Sequence, residues 1–288
     1  MEASRRTRSP LSTIGRSIDF SYATNAAIGV LSLLIFVAGV ILHLVRGDSV
    51  GPGLLSGLAW GGSVFLAWAL ARETDPDRSI SAFFAAGGAL AGVILLGNPH
   101  FLLLFWVLLG LRTVNRSTGE APGPLDWIGL YGITLWLGFS AHWMVPLLTF
   151  PAVFFAELRR FPLALRATVL LVLPASAVAY GILHRWRFTP PPWNGVEILV
   201  LAGAALCVIP VIASYREVES VGDRTGKPLI PRRVRWGLGW AAGTAIILTF
   251  SGAATVGGIA PLWAALAGSS VGWATDAVLR LIRHDGAS

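Results

Sequence analysis

Three carboxylates and two guanidiniums crowd into seven residues at Arg72-Glu73-Thr74-Asp75-Pro76-Asp77-Arg78. Converging carboxylate oxygens hold divalent cations, and a guanidinium grips phosphate oxygens through a two-pronged fork. Glu73, Asp75, Asp77 and Arg78 are therefore a candidate catalytic cluster for chemistry on a phosphate or lipid headgroup. Arg112, Asn115 and Arg116, and further on Glu157, Arg159 and Arg160, end other apolar runs and could join it. The plainer reading is a solvated turn, opened by Asp75-Pro76, with Asp77 or Ser79 capping the next helix.

The histidines form a second pattern. His43, His100, His142 and His184 fall near the outer ends of four hairpins, and His284 lies on the tail. Imidazoles gathered there could ligate zinc or haem iron, or exchange protons. No two of the four have the local spacing of a metal motif, and interfacial His beside Trp143, Trp186 and Trp193 is the plainer account. No other cofactor is implied.

Other motifs fail on inspection. There is no DxxxD pair of a membrane prenyltransferase and no HExxH zinc helix. Gly222-Asp223-Arg224-Thr225-Gly226-Lys227 has phosphate-loop letters, but Pro228 follows and no strand precedes. The single cysteine, Cys207, excludes an intrachain disulfide and a cysteine metal cluster. Asp19, Asp126, Glu157 and Asp276 lie near span ends, and no carboxylate sits deep in a span, which disfavours proton-coupled antiport. Asp276 and Arg280 are spaced to pair on one helix face.

The elements that position these residues follow from composition. The chain is 55% hydrophobic and 13% charged over 288 residues, with a mean hydropathy of +0.68. So much apolar surface suits a bilayer, not water. Apolar runs at about 22–45, 51–71, 80–96, 100–115, 125–141, 142–158, 162–184, 194–214, 234–257 and 260–282 predict ten membrane helices, an all-α polytopic bundle. Of 22 Lys and Arg, 19 fall on segments that share a side with the N-terminus; Arg46, Arg185 and Arg187 do not. That asymmetry predicts both ends in the cytoplasm and residence in the cell membrane. It also accounts for the net charge of +7 without nucleic acid, because the basic residues punctuate spans and form no face.

The predicted organisation is a basic cytoplasmic segment at 1–21, a membrane domain at 22–283 and a tail at 284–288. A division near Ala141 would give two blocks of five, hence inverted repeats. Segments 80–115 and 125–158 could each be a re-entrant hairpin, since charge counting cannot tell that from two crossings; Pro146 and Pro151 would interrupt the sixth run. Gly53, Gly57 and Gly61, Gly88 and Gly92, and Gly239 and Gly243 recur every four residues and predict close helix packing. Segment 215–235, with Pro228 and Pro231, is expected to be an exposed loop.

In helix count, length and orientation the chain resembles the ten-helix drug/metabolite transporters, in architecture alone and without a shared motif. Three functions are compatible with these features. The first is a carrier or flippase for a small or amphipathic substrate, and the second a membrane enzyme acting on a lipid or phosphate group at the cytoplasmic face. The third is a structural or assembly subunit of a larger complex, in an oligomer or with partner chains.

Overall fold

The computed structural model describes residues 11–15, 18–140, 143–155, 175, 179–183 and 192–285. Most of the predicted run 162–184, all but 175 and 179–183, and the basic residues before Leu11 lie outside the described residues, as do Arg16, His142, Glu157, Arg159, Arg160, His184, Arg185 and Arg187. Among the described residues every regular element is helical apart from one isolated bridge between Val221 and Pro228.

The helices are α1 (Ala23–Val45), α2 (Val50–Thr74), α3 (Ser79–Leu96), α4 (Phe101–Asn115), α5 (Pro124–Ser140), α6 (Val145–Phe155), α7 (Gly195–Ser214), α8 (Pro231–Phe250) and α9 (Ala260–Asp285). They fall on the predicted runs to within three residues at each end, except that α8 stops at Phe250. There the chain turns at Gly252 (φ +70°) and enters a short 3-10 turn, Gly257–Ile259. Four helices, α1, α2, α3 and α7, are long and apolar enough to cross a membrane. Helices α4, α5 and α6 are apolar but shorter, and α8 and α9 have the length with less apolar composition.

Local chemistry explains where elements start and stop. Pro124 and Pro231 open α5 and α8 at positions where the missing N–H costs no bond. Asn194 and Glu197 cap α7 reciprocally, each at 2.9 Å. Pro146 lies in the first turn of α6 and forfeits nothing there, whereas Pro151 and Pro210 stand inside α6 and α7. The links between α1 and α2, α2 and α3, and α3 and α4 are only four residues each, which makes neighbours antiparallel.

Glycine sets the closest approaches. A Cβ on Gly57 would stand 2.6 Å from the Phe36 carbonyl, and one on Gly61 2.6 Å from that of Ser32, so α1 lies directly on α2. Gly88 and Gly92 face Ala264 and Ala260 across the α3–α9 seam. Gly239 and Gly243 break the expectation: no described atom stands within 4 Å of a Cβ on either. In the core, Trp106 donates to Thr134 and Thr149 at 3.1 Å each and meets Trp240 edge-on.

Candidate functional site

The ends of α2, α4 and α7 and the starts of α3, α5 and α8 gather at one end of the bundle, with the last turns of α9. The predicted acidic run lies at the centre of this end, and the structure turns it inward. Glu73 is 1% exposed and Asp75 0%. The solvated-turn reading is therefore wrong for both: they are buried, and burial of a carboxylate demands partners.

The partners divide the run in two. Glu73, in the last turn of α2, accepts from Arg112 Nε at 3.2 Å and Ser117 Oγ at 3.1 Å. Asn115 donates to the Glu73 carbonyl at 2.7 Å, and Arg233 donates to that of Val114 at 3.0 Å. Arg116 ends α4 in the left-handed region (φ 53°). Gly237 is required opposite, because any Cβ there would collide with Asn115. This half joins α2, α4 and α8.

Asp75 makes the other half. Its carboxylate accepts from Arg78 at 3.1 Å and, through short hydrogen bonds, from Ser81 and Tyr215. Tyr215 is the first residue after α7 and is buried, with the Arg78 guanidinium over its ring. Arg78 continues to Asp276 on α9 at 3.3 Å, and Asp276 to Arg280 at 3.0 Å, the pair anticipated from their spacing. Burial pushes the Asp75 carboxyl above the usual carboxylate range, against the pull of Ser81, Tyr215 and Arg78. Burial and Asp75 both push the Tyr215 hydroxyl up, so it remains a donor.

Asp77 does not cap α3. It accepts instead from the backbone N–H groups of Ser220 at 2.9 Å and Glu219 at 3.3 Å, pinning the segment after α7 onto the α2–α3 turn. That segment is not a free loop. Gly222 backs onto Gly119, and Asp223 and Arg224 donate to the Ser117 and Thr118 carbonyls at 3.3 and 3.1 Å. The six predicted cluster residues thus share one end of the bundle, but Glu73 with Arg112 and Arg78 with Asp276 close ion pairs between helices, Asp77 holds backbone N–H groups, and the six do not converge on one open pocket.

Sequence reasoning missed Tyr215, Ser81 and the role of Asp126. In the first turn of α5, Asp126 accepts from Gly123 and Thr13 N–H groups at 2.8 Å each and from Ser12 Oγ at 2.5 Å, which fastens residues 12–14 to this end. A Gly-Pro-x-Asp start was the available signal for Asp126, a helix-start pattern whose carboxylate reaches back to its own N-terminus. Nothing local announced Tyr215.

The histidines do not assemble in what is described. His43 pairs with Asp48 at 2.7 Å, and the His100 N–H donates to Gly258 at 2.8 Å. Among the described residues no three His, Cys, Asp or Glu stand close enough to hold a metal.

A cavity of about 550 Å³ lies between α3, α7 and α9. Gly92 and Leu96, Gly203, Ala204 and Cys207, and Trp263 and Ala267 are among its walls, and the lining is almost wholly apolar. Its polar contact comes from the network end, where Ser270 lines it beside Ser269, itself bonded to Thr74 at 2.8 Å. No protein family, curated protein or solved structure matches the chain.

Proposed function

We propose that the chain is a carrier or flippase of the cell membrane, taking a lipophilic or amphipathic substrate through the space between α3, α7 and α9. The observation that carries this reading is the cavity. About 550 Å³ is the size that holds a drug-sized ligand or a lipid chain, and apolar walls with little polar lining suit a hydrocarbon body. The topology that goes with it is ten crossings with both termini in the cytoplasm. Arg72, Arg78, Arg112, Arg116, Arg224 and Lys227 all stand at the end that also receives residues 12–14, and positive charge at that end supports its being cytoplasmic. The enzyme reading draws less support, since Asp75 is buried and both Asp75 and Asp77 accept hydrogen bonds from the segment after α7.

The test is native mass spectrometry of the chain extracted gently from its own membranes. One bound lipid or amphipath per chain is expected, absent from Gly203→Leu. Gly203 lines the cavity and a Cβ there meets nothing within 4 Å, so a larger side chain sets out into the cavity space. A wild-type chain without ligand, or the same ligand on Gly203→Leu, sinks the reading.

A further inference from the structure

We propose that Asp75 is a proton-binding site that latches the inner end of the cavity through Tyr215. The proposal rests on the carrier reading and names the ion and the moving part. Helix α7 packs on α9 and α8 and stands off α3, which is what leaves the cavity open between them. Its inner end is tied to the α2–α3 turn by Tyr215 on Asp75, with the 219–220 backbone held by Asp77 one turn further on. Pro210, on the cavity wall five residues before Tyr215, removes a backbone bond from α7 where a bend would swing that end.

The geometry says which bond breaks. The charged and titratable groups around Asp75 are Arg78 and Asp77 on its own turn, Tyr215 from α7, and Asp276 on α9, which reaches it through Arg78 and in turn holds Arg280. Arg72 bonds to Pro76 and Ser79 and serves the turn itself. A charged carboxylate holds its donors more strongly than a neutral carboxyl does, so a proton on Asp75 weakens the bonds from all three of its donors. Arg78 and Ser81 belong to the same turn and move with Asp75. Tyr215 alone of the three donors stands on another wall, so a proton from the cytoplasm that settles on Asp75 weakens the tie to Tyr215, and loss of that tie frees α7. Loss of the proton restores the acceptor and closes the latch.

Cys207 makes this measurable without an engineered label. It is the chain's one cysteine and is exposed on the α7 wall of the cavity. A membrane-impermeant maleimide, added to vesicles with their cytoplasmic face outward, modifies Cys207 when water reaches the cavity from the inner end. Tyr215→Phe and Asp75→Asn are expected to speed the reaction at least about fivefold near neutral pH, the low end of a coupling free energy. The ratio of Tyr215→Phe to wild type cancels the thiol's own ionisation, and it falls towards one in mildly acidic buffer as wild-type Asp75 takes up its proton. Ser81→Ala also removes a hydroxyl donor to Asp75, but from the same side of the latch, and reacts at the wild-type rate. If a variant fails to fold, the wild-type series still decides: corrected for thiol ionisation, its rate rises as pH falls. Equal rates for Tyr215→Phe and wild type at every pH would overturn the latch, as would Ser81→Ala reacting as fast as Tyr215→Phe. The expected pattern from a chain that carries no ligand in native mass spectrometry would leave the latch standing and remove the carrier.

Discussion

Helix α3 meets α9 and α7 in opposite ways. Towards α9 it closes to contact, with Gly88 and Gly92 against Ala264 and Ala260, and Gly268 and Gly272 of α9 against Ala85 and Ser81. Towards α7 it opens onto the cavity, lined by residues just as small, among them Ala91, Gly203 and Ala274. Small side chains therefore do not by themselves make a seam. What stands opposite decides: on α9 a second row of small residues, on the α7 side a helix held away by its own packing on α8 and α9. The seam also runs into the buried Asp75 network, whereas α7 reaches that network through Tyr215.

Breaking the seam should have the largest effect. Gly272→Leu drives a side chain into Ser81 and Asp75, which overpacks the contact and disturbs a buried charge. A loss on the order of 5 kcal/mol is expected, enough to abolish a sharp melting transition in detergent. Wild-type melting for Gly272→Leu would mean that α3 and α9 are not in contact as described.

Arg112→Ala tests the static half of the network and should cost about 3 kcal/mol, because Glu73 is left buried with Ser117 as its remaining side-chain donor among the bonds described above. The double variant Arg112→Ala with Glu73→Gln should recover much of that loss. No recovery would show that Arg112 acts through packing and not through charge. Neither change should alter Cys207 labelling from the inner side, which separates this half from the Asp75 half.

On the open side, Gly203→Leu should leave thermal stability of the ligand-free chain within about 1 kcal/mol of wild type, the range of substitutions that disturb no packed contact. Its effect should be on ligand occupancy. A large loss of stability instead would mean that the wall facing α3 is packed and the cavity is not a void.

The helices were legible because a bilayer forbids unpaired backbone and so writes each crossing as an apolar run. The burial of Glu73 and Asp75 was not, because Asp-Pro-Asp reads as the same turn whether water or another helix lies over it. The donor that decides the matter, Tyr215, is 140 residues away in sequence. The acids do share one place, as their spacing suggested, but Ser81 and Tyr215 fill acceptor positions of Asp75 from α3 and from beyond α7, and Asp276 on α9 accepts from Arg78. Asp77 shows the limit most simply: its position offers a helix cap, and a backbone segment from beyond α7 takes the oxygen instead.

The smallest predicted effect bears on the same comparison. Gly239 and Gly243 have the four-residue spacing of Gly53, Gly57 and Gly61, yet a Cβ on either meets no described atom within 4 Å. On α2 the carbonyls of α1 lie against the glycines, so the missing side chains are what permits the approach. On α8 nothing described uses the missing side chains, and each glycine only adds backbone freedom that folding must remove. Gly239→Ala and Gly243→Ala should therefore each stabilise the chain by about 0.5–1 kcal/mol, the ordinary gain of alanine over glycine inside a helix. Gly57→Ala should do the reverse, since its methyl group would stand 2.6 Å from the Phe36 carbonyl. Melting of the three variants side by side is the check. Destabilisation by Gly239→Ala would mean that α8 carries a third glycine seam, against a surface that the described residues do not supply.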